Sequence, residues 1–217
     1  MTAVAIDYTK GAAPAAPLQK TVYIFFALYH NFVVSSLIKN ISCPYTIIMN
    51  RLKNYTIKGI IFVIITGTIS HFVYEWFGNN PVIGFFFPIN ESTWEHMKLI
   101  FFPMLLYSFY MNRNLKEGFP CVTSALFSGV LLGTLLIPVI FYTYTGILGK
   151  NTLPLDIATF IISVVFAFTA AYRLTLSCRA SSSLFFLKLS VFILFVCFLL
   201  FTYRPLPFGI FVSPGNE

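Results

Sequence analysis

The chain has 217 residues, of which 58% are hydrophobic, 18% aromatic and only 10% charged. Soluble domains carry about 25% charged residues, so a water-soluble globular enzyme and a disordered chain are both excluded. The net charge is +7, but the basic residues are scattered between apolar runs and form no stripe. That pattern argues against nucleic acid and for basic loops retained on the cytoplasmic side of a membrane.

The first 48 residues stand apart from the rest. Lys10 to Pro17 is a low-complexity linker of Gly, Ala and Pro. Thr21 to Ile38 is apolar, yet His30, Asn31, Ser35 and Ser36 fall in its middle. The run starts too late for a secretory signal and lacks a small-x-small cleavage site. Met49-Asn-Arg-Leu-Lys53 reads as a natural bacterial start. Residues 1–48 are therefore expected to be an extension or a weak extra helix, and residues 49–217 a five-helix transmembrane domain.

Five apolar segments follow, which makes the fold class all-α, a polytopic transmembrane bundle. The first predicted helix runs from about Gly59 to Phe77 and is rich in Ile, Val and Phe. Each of those residues favours insertion by roughly 0.3–0.6 kcal/mol. The second runs from about Thr93 to Met111, with Pro103 inside it, and the third from about Cys121 to Tyr142. The fourth follows Pro154, a good first-turn residue, and ends near Tyr172; the fifth runs from about Leu184 to Tyr203. The four cysteines form no CxxC pair and no disulfide framework, and read as small apolar packing residues.

The loops alternate in charge. Lys53, Lys58, Arg113, Lys116, Arg173 and Arg179 fall on one side, expected to be cytoplasmic. Glu75, Glu91, Glu95 and Asp156 fall on the other, with the C-terminus. A multi-pass plasma-membrane protein with an acidic outer end is the expected arrangement.

The polar residues concentrate at that outer end. His71 and Glu75 are four apart and share a helix face. Ser92-x-x-Glu95 is a capping box, and Asn90 is an alternative cap. Lys98 can pair with Glu95 or Glu91, which would share its face if the second helix began by Asn90. Capping does not account for His71, Glu75 or His96. Imidazole and carboxylate together suit Zn²⁺, Mn²⁺ or Fe²⁺, with about three protein ligands and an open position for water. His71, Glu75 and His96 are the candidate ligands, although no HExxH is present. Glu91 or Glu95 would be the base, and Arg204, beside Tyr203, would clamp an anionic group or lipid headgroup. Asp156 opens the fourth helix as a cap or as part of the same site. The apolar tail from Leu206 to Val212 is too short to span and is expected to lie on the interface, over the cluster.

Metal-assisted hydrolysis of a lipid or peptide bond is the natural activity for such a site. Two rivals make different demands. A small solute or proton-coupled transporter needs polar groups in the middle of its helices, whereas an assembly protein needs the cluster only as caps.

The run Pro88-Ile-Asn-Glu-Ser-Thr-Trp-Glu-His-Met-Lys98 is long and unusual. With His71, Glu75 and Phe201-Thr-Tyr-Arg-Pro-Leu-Pro207, it resembles a family of small multi-span bacterial and archaeal membrane proteins of unknown function. The resemblance covers about Met49 to the C-terminus. It implies about five helices and a plasma-membrane location, and lends no reaction, substrate or catalytic residue.

Overall fold

The computed structural model describes residues 17–213, with side chains from residue 47 onward. The linker at residues 10–16 and the side chains of Thr21 to Ile38 lie outside the described residues. Every regular element among those described is helical: α1 (Pro17–Trp76), the short α2 (Pro81–Gly84), α3 (Thr93–Leu115), α4 (Val122–Leu148), α5 (Leu153–Ser177) and α6 (Leu184–Phe201). The chain forms two compact units, Met1–Met49 and Asn50–Glu217. The second unit carries all that follows.

Among the described residues, four helices are long and apolar enough to cross a membrane: Ile47–Trp76 within α1, then Val122–Leu148, Leu153–Ser177 and Ser181–Phe201. The sequence reading expected five such segments. The missing one is α3, and its surroundings explain why. Fourteen of its 23 residues are buried, Glu95 and Lys98 among them. A helix enclosed by other helices needs less hydrophobicity than one that meets lipid. By contrast α6 buries only Val191 and Phe198.

The outer surface matches lipid. Along α1, Ile57, Ile61, Ile65 and Ile69 recur every fourth residue and all are exposed, so they line one face of that helix. On α6 the adjacent pairs Phe185–Phe186 and Phe192–Ile193, seven residues apart, are likewise exposed on one side. In water such continuous apolar faces would drive aggregation.

Inside, Ile100, Phe101 and Met104 of α3 are fully buried, and Val63 of α1 and Phe168 of α5 join them in one apolar core. The seam between α4 and α5 is closed by small residues. A Cβ on Gly133 would stand 2.6 Å from the Ala167 methyl, and one on Gly129 would stand 2.9 Å from the Ala167 carbonyl. Close backbone approach of this kind is how helices associate where lipid offers no hydrophobic drive. Tyr107 donates to the Tyr55 carbonyl at 2.8 Å and Arg51 to the Asn114 carbonyl at 3.0 Å, which ties the start of the Ile47–Trp76 span of α1 to the C-terminal half of α3.

Helix ends follow local chemistry. Gly149 takes a left-handed conformation (φ 70°) and ends α4, a position where a side chain would be disfavoured. Thr152 precedes Leu153-Pro154 in extended geometry and starts α5. Cys178 ends α5 in the left-handed region (φ 52°) and is disulfide-bonded to Cys121, at the start of α4. The sequence reading took these cysteines as packing residues, and the structure corrects it. The partners are 57 residues apart, so only the antiparallel pairing of α4 and α5 brings them together.

Candidate metal centre

Three segments converge at the C-terminal end of α1. Gly78 and Asn79 both take positive φ and reverse the chain after Trp76. Asn80 accepts from the Val82 amide and starts α2. The chain then reaches α3, whose N-cap is Ser92. Half of the expected capping box forms: Ser92 accepts from the Glu95 amide at 3.4 Å, but the Glu95 side chain does not reach back to Ser92. It accepts instead from the Ile89 amide (3.1 Å) and from Lys98 (2.7 Å). Asn90 accepts from the Ser92 amide at 2.9 Å.

Because α3 begins at Thr93, Glu91 lies before the helix and is not held to a helix face with Glu95 and Lys98. Its carboxylate stands between two imidazoles. His71 Nε2 is 3.5 Å from one oxygen, and His96 Nε2 is 3.4 Å from the other. One ligand atom from each of His71, Glu91 and His96 lies within 4.8 Å of the others, the one such group among the described residues. Glu75, one turn beyond His71, is exposed and outside the group.

Two features of this arrangement bear on a metal. The first is spacing. Direct charge-assisted N–H···O bonds are about 2.7–2.9 Å long. Two ligand atoms bound at about 2.0–2.1 Å to one tetrahedral ion stand roughly 3.3–3.4 Å apart. Both observed separations exceed a direct bond, and each is made to a different Glu91 oxygen, which leaves room for an ion between each imidazole and the carboxylate. The second feature is the tautomer. His96 Nδ1 lies 2.9 Å from the Ser92 carbonyl, a partner that can only accept. The proton is therefore on Nδ1, and the Nε2 lone pair of a neutral His96 faces a carboxylate. That contact is repulsive unless a cation or a second proton lies between them. His71 Nδ1 is buried without a partner among the described residues.

The group borders a cavity of about 590 Å³ between α1, α3, α4 and α5. Asp156 of α5 also lines it, together with Asn151 and Thr152. The sequence reading offered Asp156 as a cap or as part of the site. Its carboxylate accepts from the Tyr144 hydroxyl of α4, and the N-cap of α5 is Thr152.

The other sequence-predicted residues form a separate structure. Lys98 is fully buried and donates to Glu95, to the Thr202 hydroxyl (2.6 Å) and to the Gly84 carbonyl (3.0 Å). This clasp joins α2, α3 and the end of α6. Thr202 was not foreseen, since a lone Thr at the end of an apolar helix carries no signal. Tyr203 donates to the Pro81 carbonyl at 2.7 Å, and burial followed by the nearby Tyr74 pushes its phenol above the ordinary value. Arg204 is exposed and does not line the cavity. The tail packs away from the histidines: Phe211 lies against Trp94 (4.9 Å between ring centres) and Phe201.

The fold and the site thus define an all-helical protein with lipid-suited faces and a His/Glu cluster at one end. The chain belongs to DUF6512, a family of unknown function whose model matches residues 45–214. No curated protein and no solved structure matches it.

Proposed function

We propose that the protein is a five-span plasma-membrane protein that holds a divalent metal on His71, Glu91 and His96 for hydrolytic chemistry. The fifth span is α3. Its 23 residues make about 35 Å of helix, enough to cross a hydrocarbon core of about 30 Å. The cations at the Arg51, Arg113 and Arg179 end support reading that end as cytoplasmic, although the Cys121–Cys178 disulfide lies there too. The His/Glu site and the C-terminus are then extracytoplasmic.

The observation that carries the metal reading is the Glu91 carboxylate set between two Nε2 atoms at 3.4 and 3.5 Å, with His96 oriented by Ser92. Two imidazoles and one carboxylate suit Zn²⁺, Mn²⁺ or Fe²⁺. Three protein ligands leave a coordination position for water, and the cavity lies beside it. A bound ion there would polarise a carbonyl or phosphoryl oxygen and lower the pKa of its water to near 7. Asp156, which accepts from Tyr144, is the cavity's carboxylate outside the ligand set and in this reading exchanges a proton with water or leaving group. Glu95 is committed to Lys98, and Arg204 is not at the cavity, so neither is assigned a role in the chemistry.

Cobalt substitution tests this reading. Co²⁺ added to the metal-free protein should give intense visible bands of tetrahedral coordination, and acetohydroxamate should shift them by taking the open position. Bands that ignore acetohydroxamate would mean a closed structural site. No bands in folded protein would remove the metal.

A proton-coupled carrier is favoured by one observation. The hydroxyls of Thr134 and Ser163, each three residues along its helix from a cavity-wall residue (Ile137 and Phe160), are buried without partners among the described residues. Further along the seam, however, Val130 and Ala167 are fully buried and Gly129 and Gly133 press against α5, which argues against a pathway there. Hydrolysis remains the better reading.

A further inference from the structure

The cavity is polar at one end and apolar at the other. Asp156, Glu91 and His96 lie near the helix termini, whereas Leu99, Ile137 and Phe160 form the deeper wall. Measured along the helices, the lining reaches seven residues along α5, from Leu153 to Phe160, and six along α3, from Thr93 to Leu99. At 1.5 Å per residue the cavity is about 9–10 Å deep, roughly two-thirds of the 15 Å or so of one hydrocarbon leaflet.

Its rim faces lipid. Phe72 of α1 and Ile157 of α5 line the cavity and are also exposed, at 45% and 51%. Phe72 continues the exposed isoleucine stripe of α1, and Ile157 begins a similar face of α5 that continues at Ile161. The entrance between α1 and α5 is therefore bordered by residues that lie on the membrane-facing surface. A peptide would need its backbone amides satisfied inside this slot, and beside Leu99, Ile137 and Phe160 the lining offers only the Thr159 hydroxyl. An acyl chain needs none.

We infer that the cavity admits an acyl-chain amphiphile laterally from the membrane, with the chain against Leu99, Ile137 and Phe160 and an oxygen-bearing head at His71, Glu91 and His96. The inference rests on the reading above for the reacting end; occupancy by the chain does not require the ion. It makes an acyl lipid, rather than a peptide, the substrate class of the site.

The test is photolabelling in nanodiscs with a phosphatidylglycerol that carries a diazirine midway along one acyl chain, mapped by peptide mass spectrometry. Wild-type protein should show adducts on peptides containing Leu99, Ile137 or Phe160. Thr68→Trp, which places a bulky ring at the exposed α1 side of the rim, should cut those adducts at least fivefold and leave metal content unchanged. Ile137→Trp, which fills the cavity from within, should do the same. Adducts confined to outward residues such as Phe185 and Phe192, and unchanged by either substitution, would overturn the inference. Cavity adducts in protein that binds no metal would uphold it and reject the metal reading alone.

Discussion

Replacing Lys98 by Met should be among the most damaging single changes in the protein. The ammonium has three N–H donors, and all three are taken by Glu95, Thr202 and Gly84. The two charged side chains are 0% and 2% exposed, so water cannot substitute for a lost partner. After Lys98→Met the Glu95 carboxylate keeps only the Ile89 amide at 3.1 Å. Breaking a buried pair from one side costs about 3–5 kcal/mol, because a charge is left uncompensated. The double variant Glu95→Gln with Lys98→Met removes the orphan charge, and should recover about 2 kcal/mol of that loss. Unfolding in mixed micelles of graded SDS content, followed by fluorescence of Trp94 beside the clasp, measures both. A loss below about 1 kcal/mol for Lys98→Met, or a double variant no more stable than the single one, would refute the reasoning.

Three further outcomes follow from the packing and the topology. Gly133→Val should destabilise by about 1–3 kcal/mol in the same assay, since its Cβ meets the Ala167 methyl at 2.6 Å. Cys178→Ser should abolish the gel-mobility difference between oxidised and reduced protein and cost about 2–4 kcal/mol; identical mobility of the untreated wild type with and without reductant would exclude the disulfide. Asn79→Cys should react with an impermeant maleimide added outside intact cells. Labelling only from the cytoplasm would reverse the orientation, and would place the Cys121–Cys178 disulfide, now at the basic end, on the oxidising side where such bonds are common.

The helices were legible because long apolar runs between charged loops dictate them whatever the packing. Their ends were less so: α4 continues from Tyr142 to Leu148, through residues polar enough to read as a boundary. What escaped sequence reasoning depends on contacts between distant segments. Periodicity pairs His71 with Glu75, four residues away, but the reversal at Gly78 and Asn79 brings Glu91 to His71 instead. Helix-face arithmetic named Glu91 beside Glu95 and Lys98 but could not pair it with His71, because it lies two residues before α3 begins. The same arithmetic did anticipate Lys98 with Glu95, a pair three residues apart on one helix. Thr202 and the Cys121–Cys178 bond arise from positions 104 and 57 residues from their partners, where no local pattern reaches.

Elemental analysis of the detergent-purified protein tests the central claim most directly. Wild type and Glu75→Ala should each carry about one divalent ion per chain, while His71→Ala, Glu91→Ala and His96→Ala should each fall to a small fraction of that. Folded wild-type protein without metal, or ion content equal in Glu91→Ala and wild type, would contradict the account.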